Sequence, residues 1–298
     1  MGQGLHTKIL GVAMRELGLS AENIRMMTTA TDKVPNTSAT AASSGSDLNG
    51  AAVQKACAEL RARLAPVAAD LLAKRFGRAF DSARLVFDSS TISERGRPDE
   101  AVDFSEVVDW TYMQRISLAA IGYYATPNLH WDREAGRGRP FHYFACGAAV
   151  SEVEVDGFTG MSTVRRVDIL HDVGDSLNPA VDRGQIEGGF VQGMGWLTRE
   201  ELKWDTKGRL LTHSASTYQI PAFSDAPADF RVALFPNATQ PNVIHGSKAV
   251  GEPPLMLAIS VREAIREAVA AFGSRAGEIA LACPATGEAV FAAIRKVR

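Results

Sequence analysis

The chain has 298 residues and a formal net charge of −2, which excludes the basic field of a nucleic-acid binder and a strongly acidic tail. Its hydrophobic content of 46% and charged content of 22% suit a globular protein with a sizeable core, as one large domain or two. No apolar run approaches the roughly 20 residues of a membrane span, and the N-terminus lacks a signal-peptide pattern.

In chain order, a "MGQG" loop precedes apolar residues at helical spacing over Leu5 to Leu17 (Leu5, Ile9, Val12, Ala13, Leu17), with Gly18 as a C-terminal stop. Ile24 to Thr28 is a short strand candidate. The small, hydroxylated run "NTSATAASSGSD" leads into a helical pattern from about Leu48 through Leu72, where Pro66 is expected to break or kink the helix. Strands are expected in "ARLVFD" (83–88), "FHYFACGAAVSEVEVD" (141–156) and "MSTVRRVDILHDVG" (161–174). The turn "GFTG" joins the last two as a hairpin. A helical pattern runs from Pro179, a first-turn proline, to Leu202. The loop-rich "REAGRGRP" (133–140) is the best internal boundary, dividing the chain at about 135/136 into two subdomains, 1–135 and 136–298. Helices and strands alternate without a regular βαβ rhythm, which favours an α+β fold.

Cys57, Cys146 and Cys283 are dispersed and form no CxxC pair, a usage that fits the reducing cytoplasm and writes no zinc or iron–sulfur site. Six histidines are equally scattered, without metal-ligand spacing. Any metal this protein uses is therefore expected to be held by something other than its own side chains.

Three stretches carry chemistry. The helical run over 180–202 contains Gly184, Gly188, Gly189, Gly193 and Gly195, each costing about 0.5–1 kcal/mol against alanine in a helix interior. Close helix packing explains such glycines; so does a ligand against the helix, with Gln185 and Gln192, seven apart on nearly one face, presenting their amides. The hydroxylated run is either a linker or an anion-holding helix end in which Thr40, Ser43 and Ser44 donate to a phosphate or polar ring. In "AVGEPPLMLA" the carboxylate of Glu252 stands between Gly251 and two prolines at the mouth of an apolar helix. A following proline biases Glu252 to extended backbone, and a helix N-terminus favours the anion, hence a base rather than an acid. The alternative is a carboxylate that merely satisfies helix N–H groups.

"GQGLHTK" (2–8), "VPNTSATAASSGSDLNG" (34–50), "DRGQIEGGFVQGMGW" (182–196), "TYQIPAFSDAP" (217–227) and "GSKAVGEPPLMLA" (246–258), in that order, resemble the xanthine dehydrogenase and aldehyde oxidase family of molybdenum hydroxylases. The resemblance implies a molybdopterin cofactor whose dithiolene, not the protein, holds the metal. By motif, Gly2, Gln3, Thr40, Ala42, Ser43, Ser44 and Gly251 would contact the cofactor, and Ala41 and Ala42 would line the substrate position. Gln185 would hydrogen-bond an oxo group of the metal centre. Glu252 would be the general base that activates the attacking oxygen, and its Gly and Pro neighbours would fix it there. The implied reaction is hydroxylation of xanthine or hypoxanthine, with an aldehyde or another N-heterocycle as the alternative substrate. The partners implied are an upstream molybdopterin-domain region and an iron–sulfur/FAD subunit with 2Fe-2S clusters, passing electrons to NAD. On this reading the chain is the C-terminal portion of a larger catalytic subunit; the rival reading is a non-catalytic assembly module that binds a partner chain and no cofactor.

Overall fold

A computed structural model describes residues 2–33, 41, 43–274 and 278–298. The chain divides into two compact units: unit 1 is Met1–Tyr143 with Gln240–Ser247, and unit 2 is Phe144–Thr239 with Lys248–Arg298. Each has its own core, and the mixture of helices with small sheets is α+β.

Unit 1 is built on two helices and a meander. Helix α1 (Leu5–Leu17) ends at Gly18, whose left-handed conformation (φ 65°) closes it onto the Met14 carbonyl. A side chain at Gly18 would also strike the Phe87 backbone, its Cβ lying 2.3 Å from the carbonyl carbon. The segment 24–28, expected as a strand, has no regular structure. Four of its five residues are exposed, and an extended segment without a ladder partner gains nothing from β pairing.

Helix α2 (Gly45–Phe76) runs unbroken through Pro66, correcting the expected break. Pro66 lies on the exposed face, and the carbonyl it cannot serve belongs to exposed Ala62, within reach of water. The opposite face buries Leu64, Val67, Ala68, Leu71 and Leu72 against Leu85, Phe87, Ile92, Val102 and Val107. That burial, about 1.5–3 kcal/mol per large side chain, outweighs one lost hydrogen bond. The partners come from the antiparallel sheet β1 (Leu85–Asp88), β2 (Thr91–Glu94) and β3 (Arg97–Asp103), and from helix α3 (Phe104–Met113). A short hairpin, β4 (His130–Asp132) with β5 (Arg137–Arg139), follows.

Unit 2 is a three-stranded sheet covered by helices. β6 (Gly147–Val155) and β7 (Ser162–His171) form the expected antiparallel hairpin. β6 begins at Gly147, six residues later than its sequence pattern, because its partner ends at His171, opposite Gly147. From β7 the chain crosses through helix α4 (Pro179–Thr198) to β8 (Asp229–Leu234), which pairs parallel to β7. Pro179 occupies the first turn of α4, and the Asn178 side chain caps it by accepting from Val181 N at 3.1 Å. Ile186, Phe190, Met194 and Leu197 of α4 enter a core with Val167 and Ile169 of β7 and Val261, Ile265 and Val269 of helix α5 (Ile259–Ala270). Helix α6 (Gly287–Val297), capped by Thr286, adds Val290 and Ile294.

Candidate functional site

In unit 1, the N-terminal ends of α1 and α2 adjoin: a Cβ on Gly45 would lie 2.9 Å from Leu5 Cδ2. Gly2 and Gln3 precede the first of these ends, and Ser43 and Ser44 the second. Neither helix end is capped by a side chain; the Ser44 hydroxyl instead donates back to the Ala41 carbonyl at 3.0 Å. Among the described residues no side chain caps either first turn, and a helix N-terminus open in this way can hold an anion such as phosphate. Ser43 takes a left-handed conformation (φ 53°), uncommon for a residue with a side chain. Thr40 and Ala42 lie outside the described residues. Inside α2, Asp47 is largely buried, which pushes its pKa upward; the Tyr143 hydroxyl, donating to Asp47 Oδ2, and the charges of His142 and Lys8 pull the other way.

In unit 2, the five glycines of α4 divide by what lies against them. A Cβ on Gly193 would meet the Leu255 carbonyl oxygen at 2.3 Å, and one on Gly189 would sit 3.3 Å from Pro254 Cβ and 3.4 Å from the Gly251 oxygen. Those two let the 3-10 turn Pro253–Ala258 lie directly on the helix. Gly195 gives the same closeness to Pro221, 2.2 Å away. Gly184 and Gly188 meet nothing within 4 Å. At 3.6 residues per turn, Gln185 and Gln192 project between the covered stripe (Gly189, Gly193) and the open one (Gly184, Gly188). Gln185 is half-buried and Gln192 exposed.

Glu252 stands at the head of the Pro253–Ala258 turn. Its backbone is not extended, as a residue before proline is expected to be, but near-helical (φ −99°, ψ −34°). The reason is local: its carbonyl accepts from Leu255 N at 3.0 Å, closing the first loop of the turn. The side chain is exposed and makes no capping hydrogen bond to the helix. Gly189 touches Gly251 and Pro254, which flank Glu252 and its proline, and Gln185 lies one helical turn before Gly189. The backbone on either side of Glu252 therefore packs against α4 one helical turn from Gln185.

A pair that sequence reading missed lies behind that edge. The Lys248 ammonium donates to Asp172 Oδ2 and, at 3.1 Å, to the Phe144 carbonyl. The only foreshadowing is the place of Lys248 inside the "GSKAVGEPP" motif; Asp172 is 76 residues away and carries no pattern of its own. Next to it, His171 is buried and its Nδ1 has no hydrogen-bond partner among the described residues. Burial lowers its pKa, helped by the Lys248 charge and opposed by the backbone and charge of Asp172.

A polar cavity of about 640 Å³ opens elsewhere in unit 2, bounded by Thr198, Arg199, Lys203, Thr217 and Glu288; it includes neither Gln185 nor Glu252. The candidate site is instead an open face of α4. A Cβ at Gly184 or Gly188 would stand in open space there. Among the described residues no group of three or more His, Cys, Asp and Glu could hold a metal. Among the described residues no helix is long and apolar enough to cross a membrane.

The chain matches the family model of the molybdopterin cofactor-binding domain over residues 1–227. It is 43% identical to xanthine dehydrogenase of Oryza sativa subsp. japonica over 97% of this chain and 20% of that protein. Xanthine dehydrogenase of Dictyostelium discoideum is 44% identical over 91% of this chain and 18% of its own length. The chain thus spans about one-fifth of the length of these curated relatives. Among solved structures, quinoline 2-oxidoreductase from Pseudomonas putida 86 superposes with a TM-score of 0.82 at 25% identity, covering 100% of this chain and 36% of that one. CO dehydrogenase from Oligotropha carboxidovorans gives 0.79 at 23% identity, over 99% and 34%, and shares the fold. The chain belongs to the molybdopterin cofactor-binding domain family.

Proposed function

We propose that this chain is the cofactor-holding part of a xanthine dehydrogenase-type oxidoreductase acting on xanthine or hypoxanthine, with Glu252 as its general base. The observation that motivates the reading is the packing of the 251–254 stretch, which carries Glu252, against Gly189 of α4, one helical turn from Gln185. The substrate class is supported by the xanthine dehydrogenases to which the chain is similar.

Bound molybdopterin supplies the electron-accepting chemistry. The residues of this chain hold it and move the proton. Gln3, Ser43, Ser44 and the helix ends of unit 1 take its phosphate and pterin, with Thr40 and Ala42 as further contacts by motif. Gly184, Gly188 and Gly251 give it room, and Gln185 Nε2 donates a hydrogen bond to it. By motif, Ala41 and Ala42 would flank the purine. The carboxylate oxygens of Glu252 receive the proton lost by the attacking oxygen; such transfer contributes about 10²- to 10⁴-fold. A base gains that much only when held still, and the Pro253–Ala258 turn packed on Gly189 and Gly193 holds it. Iron–sulfur and FAD groups outside this chain would supply the onward electron transfer, with NAD as the expected acceptor.

A second substrate reading, another N-heterocycle, is favoured by the fold similarity to quinoline 2-oxidoreductase. The test is turnover by the complete, metal-replete protein of xanthine, hypoxanthine, quinoline and an aromatic aldehyde. We expect kcat/KM for xanthine or hypoxanthine to exceed the others at least tenfold. A preference for quinoline or the aldehyde selects the second reading, and no turnover of any of them contradicts both.

A further inference from the structure

Glu252 follows a four-residue run, Lys248–Gly251, that has no regular secondary structure. A base at the end of such a run needs something to hold it, and Val250 and Lys248 supply attachments. Val250 is buried in the core of unit 2. Lys248 is tied three ways: its backbone N–H donates to Val173 O at 2.8 Å, and its ammonium reaches both Asp172 Oδ2 and the Phe144 carbonyl. Only about a tenth of either charged side chain is exposed, 10% for Lys248 and 13% for Asp172.

Asp172 is itself fixed. Its N–H donates to Cys146 O at 2.8 Å, and its Oδ1 accepts from Gly174 N at 2.8 Å. It directly follows β7, so the sheet is the frame from which Lys248 hangs. Phe144 and Lys248 open the two stretches of chain that make up unit 2, so the ammonium fastens the start of one to the start of the other. A buried ion pair seldom adds net stability over apolar replacements. Its use must lie in fixing one arrangement.

We propose that Lys248 and Asp172 form a positioning pair: they anchor the start of the Lys248–Gly251 run to the end of β7 and thereby set the place of the Glu252 carboxylate. This rests on the reading of Glu252 as the base. A shift of about 1 Å in a catalytic group can cost on the order of 100-fold in rate, so a loosened run acts on kcat without touching substrate.

The test uses the complete protein carrying Lys248→Met or the paired Lys248→Met/Asp172→Leu, which leaves no buried charge unpartnered. The first measurement, backbone hydrogen exchange over residues 249–257, needs no cofactor. We expect exchange about tenfold faster there in both variants, with β6 and α5 unchanged. The second is steady-state turnover of the metal-replete protein. We expect kcat to fall about 10- to 100-fold with KM within about threefold, and no further fall when the change is added to Glu252→Gln. If the single variant does not fold, the paired variant decides alone. Unchanged exchange over 249–257 overturns the anchoring. Faster exchange with unchanged kcat, or with a fall equally large in the Glu252→Gln background, overturns the action through Glu252. If Glu252→Gln itself turns over normally, the base assignment fails separately, and the action through Glu252 with it, while the exchange result still judges the anchor.

Discussion

Helices α2 and α4 solve opposite problems. α2 is a 32-residue rod that carries a proline on its wet side and is held by a dense apolar face. α4 is shorter, at 20 residues, and has five glycines. Two of them, Gly193 and Gly195, let other backbone or a proline ring come closer than a side chain permits, Gly189 is tightly packed, and two leave an open face. In α2 local rules are overridden by burial. In α4 they are broken in order to place something against the helix. The glycines of α4 thus serve two ends, close packing at Gly189, Gly193 and Gly195 and an open surface at Gly184 and Gly188.

The comparison can be broken first in α2. Leu72 is fully buried, and Leu72→Ala is expected to lower stability by about 2–5 kcal/mol, seen as an earlier denaturation midpoint for unit 1; a change under about 0.5 kcal/mol, the level of surface substitutions, would mean that burial does not hold the helix. Next comes the covered stripe of α4. Gly193→Ala puts a methyl group 2.3 Å from the Leu255 oxygen and should cost about 1–3 kcal/mol through overpacking. The open stripe should respond with the opposite sign. Gly188→Ala meets nothing within 4 Å, so the cofactor-free protein should gain about 0.5–1 kcal/mol while molybdenum content after loading falls. Denaturant titration and metal analysis of the same two variants separate the stripes; equal signs in both would erase the distinction.

A smaller effect concerns pH. The folded pKa of His171 lies below its ordinary value because of burial. The unfolded chain therefore takes up a proton first as pH falls through about 6.5, and stability drops from there toward the folded pKa. Above about 6.5 both states are neutral at this site and it adds no slope. His245, depressed by burial with Arg15 helping and Glu16 opposing, acts the same way in unit 1. His171→Leu should remove one histidine's share of the slope below about pH 6.5, read from denaturation midpoints at pH 7.5 and 5.5. An unchanged slope would place the proton uptake elsewhere.

Much of this was legible because local signals agreed with the fold. Leu5–Leu17 has its spacing and its glycine stop, the β6–β7 hairpin its alternation and turn, and α4 its proline start. What failed was decided by distant partners. Pro66 does not break α2, because the face opposite it is buried by a sheet and by a helix that begins at Phe104. Residues 24–28 looked like a strand and found no neighbour. The parallel strand β8, taken up 58 residues after β7 ends at His171, gave no sign of its pairing. At the site, Gln185 and Glu252 stand out by composition, since glycines and prolines surround them. The backbone of Glu252 and its anchor do not, for the first is set by a turn closing at Leu255 and the second by an aspartate on another strand's end.

The central claim is that Glu252 is the base, and the most direct measurement is stopped-flow reduction of the complete, metal-replete Glu252→Gln protein by xanthine. The change keeps the size of the side chain and removes its ability to take a proton. The account predicts normal molybdenum content and a reductive rate lowered by about 10²- to 10⁴-fold, with reoxidation unaffected. A reductive rate within about threefold of wild type, far less than the loss of a general base allows, would contradict it.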